Sequence, residues 1–298
     1  MLLECVPNLS EGRRPAVVRS LAEAVAAPGV HLLDLHSDAD HDRSVLTLAG
    51  EPGDLREGLL RLYEAALTRV DLRVHRGVHP RLGAVDVVPF VPLRGATMDD
   101  AVECAERLGE EVARRFGLPV YLYEEAARRA ERRALPEIRR GGFEGLAAKL
   151  ALPEWLPDFG PPAPHPTAGA TVIGARFFLI AFNLVLAPGA DLELARAIAR
   201  RTREQGGGLP RVRAIGVWLG SRARAQVSLN LLDYRVTSMA AAHAHVARLA
   251  REAGTMIESS EVVGLLPRAA LPADPGALRL ELPETRVLEH QLARCGLG

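Results

Sequence analysis

HRGVHPRLGAVDVVP, running from His75 to Pro89, sets histidines, arginines and an aspartate among glycines and prolines before turning into an apolar, β-branched run. His75 and His79 have the i, i+4 spacing that would put both imidazoles on one helix face. Gly77 lies between them, however, and Pro80 follows directly, so a helix is excluded. The stretch reads as a loop leading into a short buried strand over Ala84 to Phe90, closed by Pro89 and Pro92. A loop pinned to the head of a core strand is a rigid place to hold a reactive side chain.

Upstream, Leu2 to Val6 alternates as a strand, PNLSEG follows as a turn, and Asn8 or Ser10 is positioned to cap a helix over Pro15 to Ala27 or to reach a ligand from a strand end. Val30 to Ala49 reads as a hairpin whose tip, HSDADHDRS at 36–44, is the densest polar loop in the chain. Asp38, Asp40 and Asp42 alternate like the start of a calcium loop, but the glycine and glutamate that such a loop needs are missing. A helix is expected over Leu55 to Val70, with Leu59, Leu60, Tyr63 and Leu67 inward. Downstream, Thr97 caps a helix over Met98 to Phe116 that Gly117 and Pro119 end, and Val120 to Tyr123 is a strand.

The proline-dense stretch from Leu152 to Pro166 suits neither helix nor central strand. It marks a boundary, or lines a site with the rings of Trp155, Phe159 and His165. Beyond it, Thr171 to Leu186 reads as a strand pair or one bent strand, followed by a helix over Leu192 to Gln205 and a hairpin from Val212–Leu219 and Gln226–Leu232. A helix over Ser238 to Ala253 and a strand over Glu261 to Leu266 complete this half. Both halves thus show the β-α-β-β-α-β order, and the expected fold class is α+β, with two ferredoxin-like halves and helices packed on their sheets. The corresponding domains are 1–151, a connecting segment 152–169, and 170–298.

At 298 residues, with 48% hydrophobic and 25% charged composition, the chain suits two ordinary cores. Zero formal net charge supplies no field for nucleic acid or an anionic membrane. Lys149 is the only lysine, so arginine does the cationic work, which suits bidentate carboxylate recognition. Cys5, Cys104 and Cys295 are odd in number and widely spaced, which argues against a disulfide framework and for a reducing cytoplasm. MLLECVPNLSEG lacks a basic signal-peptide start, and Arg176 and Asn183 interrupt the best candidate membrane span.

His79 is the leading candidate for general acid and base work, with Arg81 and Asp86 close by in sequence, because imidazole titrates nearest neutrality. Gln226, Ser228 and Asn230 alternate, which places their polar groups on one sheet face toward solvent or a ligand. On these residues alone a small-molecule transferase or lyase using a histidine ranks first. A metal-dependent hydrolase using the His36–Asp42 loop ranks second, and a non-catalytic binding module third.

CVPNLSEG at 5–12, HRGVHPRLGAVDVVPFVPLRG at 75–95, PVYLY at 119–123, DFGP at 158–161, GARFFLIAFN at 174–183 and QVSLNLLDY at 226–234 together resemble the formiminotransferase family over nearly the whole chain. That resemblance implies transfer of a formimino group from N-formimino-L-glutamate to tetrahydrofolate, with tetrahydrofolate as co-substrate, no metal, and a homodimer or higher oligomer. It implies facing halves with a tunnel between them, and only the transferase part of the animal fusion with a cyclodeaminase. The family's catalytic histidine falls on His79. Its folate-binding segment falls on Gly160, Pro161, Pro162, Ala163, Pro164, His165, Pro166, Thr167, Ala168 and Gly169. Arg43, Arg81 and Arg176 are the arginines expected to hold substrate carboxylates, with Asn8, Ser10, Asp86, Asn183, Gln226 and Asn230 as further site-lining candidates. A family aspartate after the second strand is His36 here. Formyl transfer between 5-formyltetrahydrofolate and glutamate is the alternative within the same class.

Overall fold

Residues 75–83 are a loop, and strand β5 (Val85–Pro92) leaves it, in a computed structural model that describes every residue from Met1 to Gly298. The chain divides into two compact units, Met1–Arg176 and Phe177–Gly298.

In the first unit, β1 (Leu3–Cys5) and β2 (Asn8–Leu9) behave as one broken strand, since each pairs antiparallel with both β4 (Arg43–Gly50) and β5. Helix α1 (Pro15–Ala24), strand β3 (His31–Asp38), β4, helix α2 (Pro52–Arg69) and β5 complete a β-α-β-β-α-β unit. Its spatial order is β3, β4, β1/β2, β5. Helix α3 (Met98–Phe116) then leads to β6 (Val120–Glu124), and β7 (Thr171–Ala175) inserts between β5 and β6, parallel to both. The resulting sheet is seven-stranded and mixed. Leu21 of α1, Leu59 and Tyr63 of α2 and Leu108 of α3 share a core with Leu46, Val88 and Phe90 of the sheet, while Leu67 is only partly buried. A smaller core joins Val87, Tyr121 and Val172 to Ile138 of α4 (Leu135–Arg139) and Leu146 of α5 (Leu146–Leu150).

Asn8–Leu9 is a strand rather than a turn, and neither Asn8 nor Ser10 caps α1; Glu11 Oε1 instead accepts from the Arg13 and Arg14 N–H groups. Pro89 does not close its strand. It falls opposite the break between β1 and β2, where only its carbonyl is needed, and that oxygen accepts from Val6 N at 3.1 Å. The strand pair expected over 171–186 is divided between the two units, so the proline-dense segment lies inside the first. There Trp155 packs beside Tyr121 under the Lys149 ammonium, 3.8 Å above its ring, and Phe159 packs against the first core. Both rings stay half-buried, each with a cation over it, Lys149 on Trp155 and Arg128 on Phe159. Around α3 the capping signals act as expected, with a Thr97–Asp100 capping box and Gly117 at φ 62°.

The second unit contains β8 (Ile180–Leu186), α6 (Leu192–Thr202), β9 (Val212–Leu219), β10 (Arg224–Leu231), α7 (Met239–Glu252) and β11 (Ile257–Val263). Its four-stranded antiparallel sheet has the order β11, β8, β10, β9, which repeats the spatial order of the first unit's core. The expected two-half α+β organisation is therefore present, with β6 and β7 as additions to the first half. Strand β11 begins before the expected Glu261, because Ile257 already pairs with Leu186. No helix is long and apolar enough to cross a membrane, and all three cysteines are free.

Arg132, 1% exposed, anchors the proline-dense segment: it pairs with Asp158 at 3.1 Å and donates to the Glu154 carbonyl at 2.8 Å. Asp158 in turn accepts from Leu122 N at 2.8 Å. Arg132→Met leaves that carboxylate buried without its counter-charge. We expect a loss of about 3–5 kcal/mol, read as a lower urea midpoint at unchanged slope.

Candidate active site

Strand β5 carries one residue more than β2 needs: Asn8 lies opposite Val87 and Leu9 opposite Val85, which leaves Asp86 as the extra residue of a β-bulge. A bulge re-aims a side chain that regular alternation would assign to a fixed face. Asp86, fully buried, accepts from Leu82 N at 2.8 Å and Gly83 N at 3.3 Å, pairs with Arg43 at 2.8 Å, and pairs with Arg139 of α4. Arg43 also donates to Asn8 Oδ1 at 2.9 Å. Two guanidiniums against one carboxylate leave one positive charge uncompensated within this triad.

The tip of the β3–β4 hairpin packs on the loop that precedes β5. Val78 N donates to Asp40 O at 3.1 Å, and His75 Nε2 lies 2.8 Å from Asp42 O. Asp42 sits at φ 47° and accepts from Gly12 N at 3.0 Å. The approach is close enough that a Cβ on Gly77 would collide with the His41 carbonyl, which is why glycine is required there. His41 and His79 are thereby neighbours, with ring centroids 6.1 Å apart.

His79 Nδ1 lies 2.7 Å from the Pro80 carbonyl oxygen. A carbonyl can only accept, so this contact puts the proton on Nδ1 and leaves Nε2 with a free lone pair. Although the ring keeps partial solvent access, burial depresses its pKa well below the usual histidine value, and the Arg43 and Arg139 charges depress it further against the opposing effect of Asp86. His79 is thus neutral at pH 7 and basic at Nε2. Burial works against ionised Asp86, yet Arg139, Arg43 and the Leu82 N–H hold its carboxyl far below the ordinary range. Burial also pulls Arg43 down to about 10, which leaves it charged at neutral pH.

The structure brings His79, Asp86, Arg43, Asn8 and Ser10 into one region; Ser10 Oγ donates to Gly83 O at 2.7 Å. Arg81, by contrast, pairs with Glu144 at 2.8 Å. Arg176 follows the end of β7, where its backbone N–H donates to Phe90 O at 3.0 Å, and its charge acts on Tyr123. Of the segment Gly160–Gly169, the last residues grip the loop at both ends: Leu72 N donates to Thr167 O at 2.8 Å and Ala84 N to Ala168 O at 3.0 Å. Asn183, Gln226 and Asn230 belong to the second unit. There Asn183 donates to Glu261 at 3.0 Å and Gln226 to Ser228 at 2.7 Å, and Asn230 lies opposite Arg213.

Arg139 and His41 are the residues that local sequence reasoning passed over. Arg139 lies 53 positions from Asp86 with no pattern to link them. His41 was hidden in an acidic tip read for its aspartates. Those aspartates diverge, Asp38 to His41 and Asp42 to Gly12 and His75, and no group of three or more His, Cys, Asp or Glu side chains is arranged to hold a metal ion.

Fold and site together define a two-unit α+β protein whose first unit presents a neutral histidine beside an excess of guanidinium charge. Residues 2–176 match the N-terminal subdomain of the formiminotransferase domain, and residues 181–277 match the formiminotransferase domain. The break between the two matches falls at the boundary between the two compact units. The chain belongs to the formiminotransferase family. It is 47% identical over 277 residues to the formimidoyltransferase-cyclodeaminase of Sus scrofa, covering 91% of this chain and 51% of that one. Glutamate formimidoyltransferase of Streptococcus pyogenes serotype M1 is 42% identical over 271 residues, covering 91% and 90%. The glutamate formimidoyltransferase of Thermoplasma acidophilum is 39% identical, covering 98% of both chains. The chain spans about half the length of the first of these relatives.

Removing one of the like charges beside His79 must raise its pKa. In an NMR titration of the ring protons, His79 is expected to titrate well below 6.5 in the wild type and to move upward in Arg139→Met.

Proposed function

We propose that the chain transfers the formimino group of N-formimino-L-glutamate to tetrahydrofolate, giving 5-formiminotetrahydrofolate and L-glutamate. The observation that carries this reading is the state of His79: a neutral imidazole, its Nδ1 proton fixed on the Pro80 carbonyl, with Nε2 open beside uncompensated positive charge. Transfer between amines needs a base for the attacking nitrogen and an acid for the departing one, and a group titrating below neutrality is already unprotonated when the reaction starts. His79 Nε2 takes the proton of the attacking amine; in the simplest scheme, with one imidazole, the same ring then returns a proton to the glutamate nitrogen.

The excess charge of Arg43 and Arg139 over Asp86 holds a substrate carboxylate. Arg81 joins only by exchanging Glu144 for substrate. The segment Gly160–Gly169 binds the reduced folate; its hydrogen bonds to both ends of the His79 loop support this assignment, because a ligand on the segment would bear directly on that loop. A homodimer in the cytoplasm belongs to the same reading, and three free cysteines suit a reducing compartment.

The test supplies the purified protein with formiminoglutamate plus tetrahydrofolate and, separately, with 5-formyltetrahydrofolate plus glutamate. Glutamate is expected to be released from the first pair, and His79→Ala is expected to lower that rate about 100- to 10,000-fold with the fold intact. Turnover of the second pair alone would favour formyl transfer. Near-wild-type turnover in His79→Ala with an unchanged pH profile would falsify the assignment.

A further inference from the structure

His41 has the marks of an acid–base residue that the single-imidazole scheme leaves unused. It sits at the hairpin tip, its side chain about a tenth exposed, with Nδ1 3.0 Å from Asp38 Oδ1 and its backbone N–H on the same oxygen at 2.8 Å. Burial opposes ionisation of Asp38, but these two hydrogen bonds hold its carboxyl far below the usual range. An ionised carboxylate on Nδ1 fixes that proton and leaves Nε2 as the nitrogen for a ligand, which is how a working imidazole is oriented. The ring is tilted 52° to that of His79, with 6.1 Å between centroids. A carbon bearing two nitrogens, each hydrogen-bonded to an imidazole, spans roughly 8 Å from ring nitrogen to ring nitrogen at full stretch. The two rings are near enough to bracket such a centre.

We propose that His41 is a second catalytic residue, the general acid that protonates the departing glutamate nitrogen while His79 serves as the base. This rests on the transfer reading above. The bond from the acceptor nitrogen to the formimino carbon forms as the C=N π pair moves onto the imino nitrogen and His79 Nε2 takes the amine proton; the π bond re-forms when this tetrahedral carbon collapses. The bond from that carbon to the glutamate nitrogen then breaks, its electron pair staying on nitrogen, as His41 Nε2 gives up its proton there. His79 ends protonated and His41 neutral, and a proton passing through solvent from one to the other restores both. The division of labour follows from the surroundings. Burial, then Arg43 and Arg139, disfavour a charged His79, whereas Asp38 faces His41; Asp42, His75 and Asp86 are the other titratable neighbours of the tip and loop.

His41→Asn tests this, because its amide nitrogen can replace Nδ1 on Asp38 while removing Nε2. We expect kcat to fall about 100-fold with KM for formiminoglutamate little changed. The acid limb of the kcat profile, set by His79, should stay. In His41→Ala, added imidazole should restore part of the rate, an effect absent from the wild type. Wild-type kcat in a folded His41→Asn, or a defect confined to KM, overturns the proposal. If His41→Ala does not fold, the kcat of His41→Asn decides alone. Failure of the wild type to release glutamate from formiminoglutamate would instead count against the transfer reading itself.

Discussion

The buried carboxylate of Asp86 is the constraint on which the first unit depends. A charge taken fully out of water is tolerated only when donors surround it, and here they come from three parts of the chain: Arg43 on β4, Arg139 on α4, and the N–H groups of Leu82 and Gly83 at the end of the loop. One side chain therefore ties the hairpin, the loop and the α4 segment to the head of β5. The bulge at Asp86 makes this possible, since the residue is the one that the β2–β5 ladder leaves unpaired.

The same donors act on the imidazole next door. Two guanidiniums satisfy and enclose the carboxylate, and burial together with their surplus charge keeps His79 neutral. The same two residues thus bear on the buried carboxylate and on the state of the imidazole, so changes at Arg43 or Arg139 act on stability and on the imidazole together. The loop carrying His79 is held from both sides. Hairpin-tip contacts at Asp40 and Asp42 grip one side, and hydrogen bonds to Thr167 and Ala168 fix its ends. The proline-dense segment is rigid for a related reason, because Arg132 fastens it to its own unit.

Elements governed by local rules were legible in the chain itself. Helix α3 runs between its Thr97 cap and Gly117, and Gly77 with Pro80 exclude a helix over 75–79. The β-α-β-β-α-β order of both halves also follows from hydrophobic periodicity. Legibility stopped where partners are distant. Parallel pairing of β7 with β5 and β6 assigns Thr171–Ala175 to the first unit, and no property of those five residues distinguishes one sheet from the other. Pro89 looked like a strand end because the break between β1 and β2 that accommodates it lies more than 80 residues upstream.

For the site, the sequence by itself determined that His79 stands in a constrained loop at the head of a core strand, and its motifs pointed to the family. Only the tertiary structure decided which charges surround that histidine. It gathered Arg139 and His41 from segments without a motif, paired Arg81 with Glu144, and set Arg176 at the other end of the sheet. The reason is physical: periodicity and capping act over a few neighbouring residues, whereas the pKa of a buried imidazole depends on every charge within several ångströms, whatever its position in the chain.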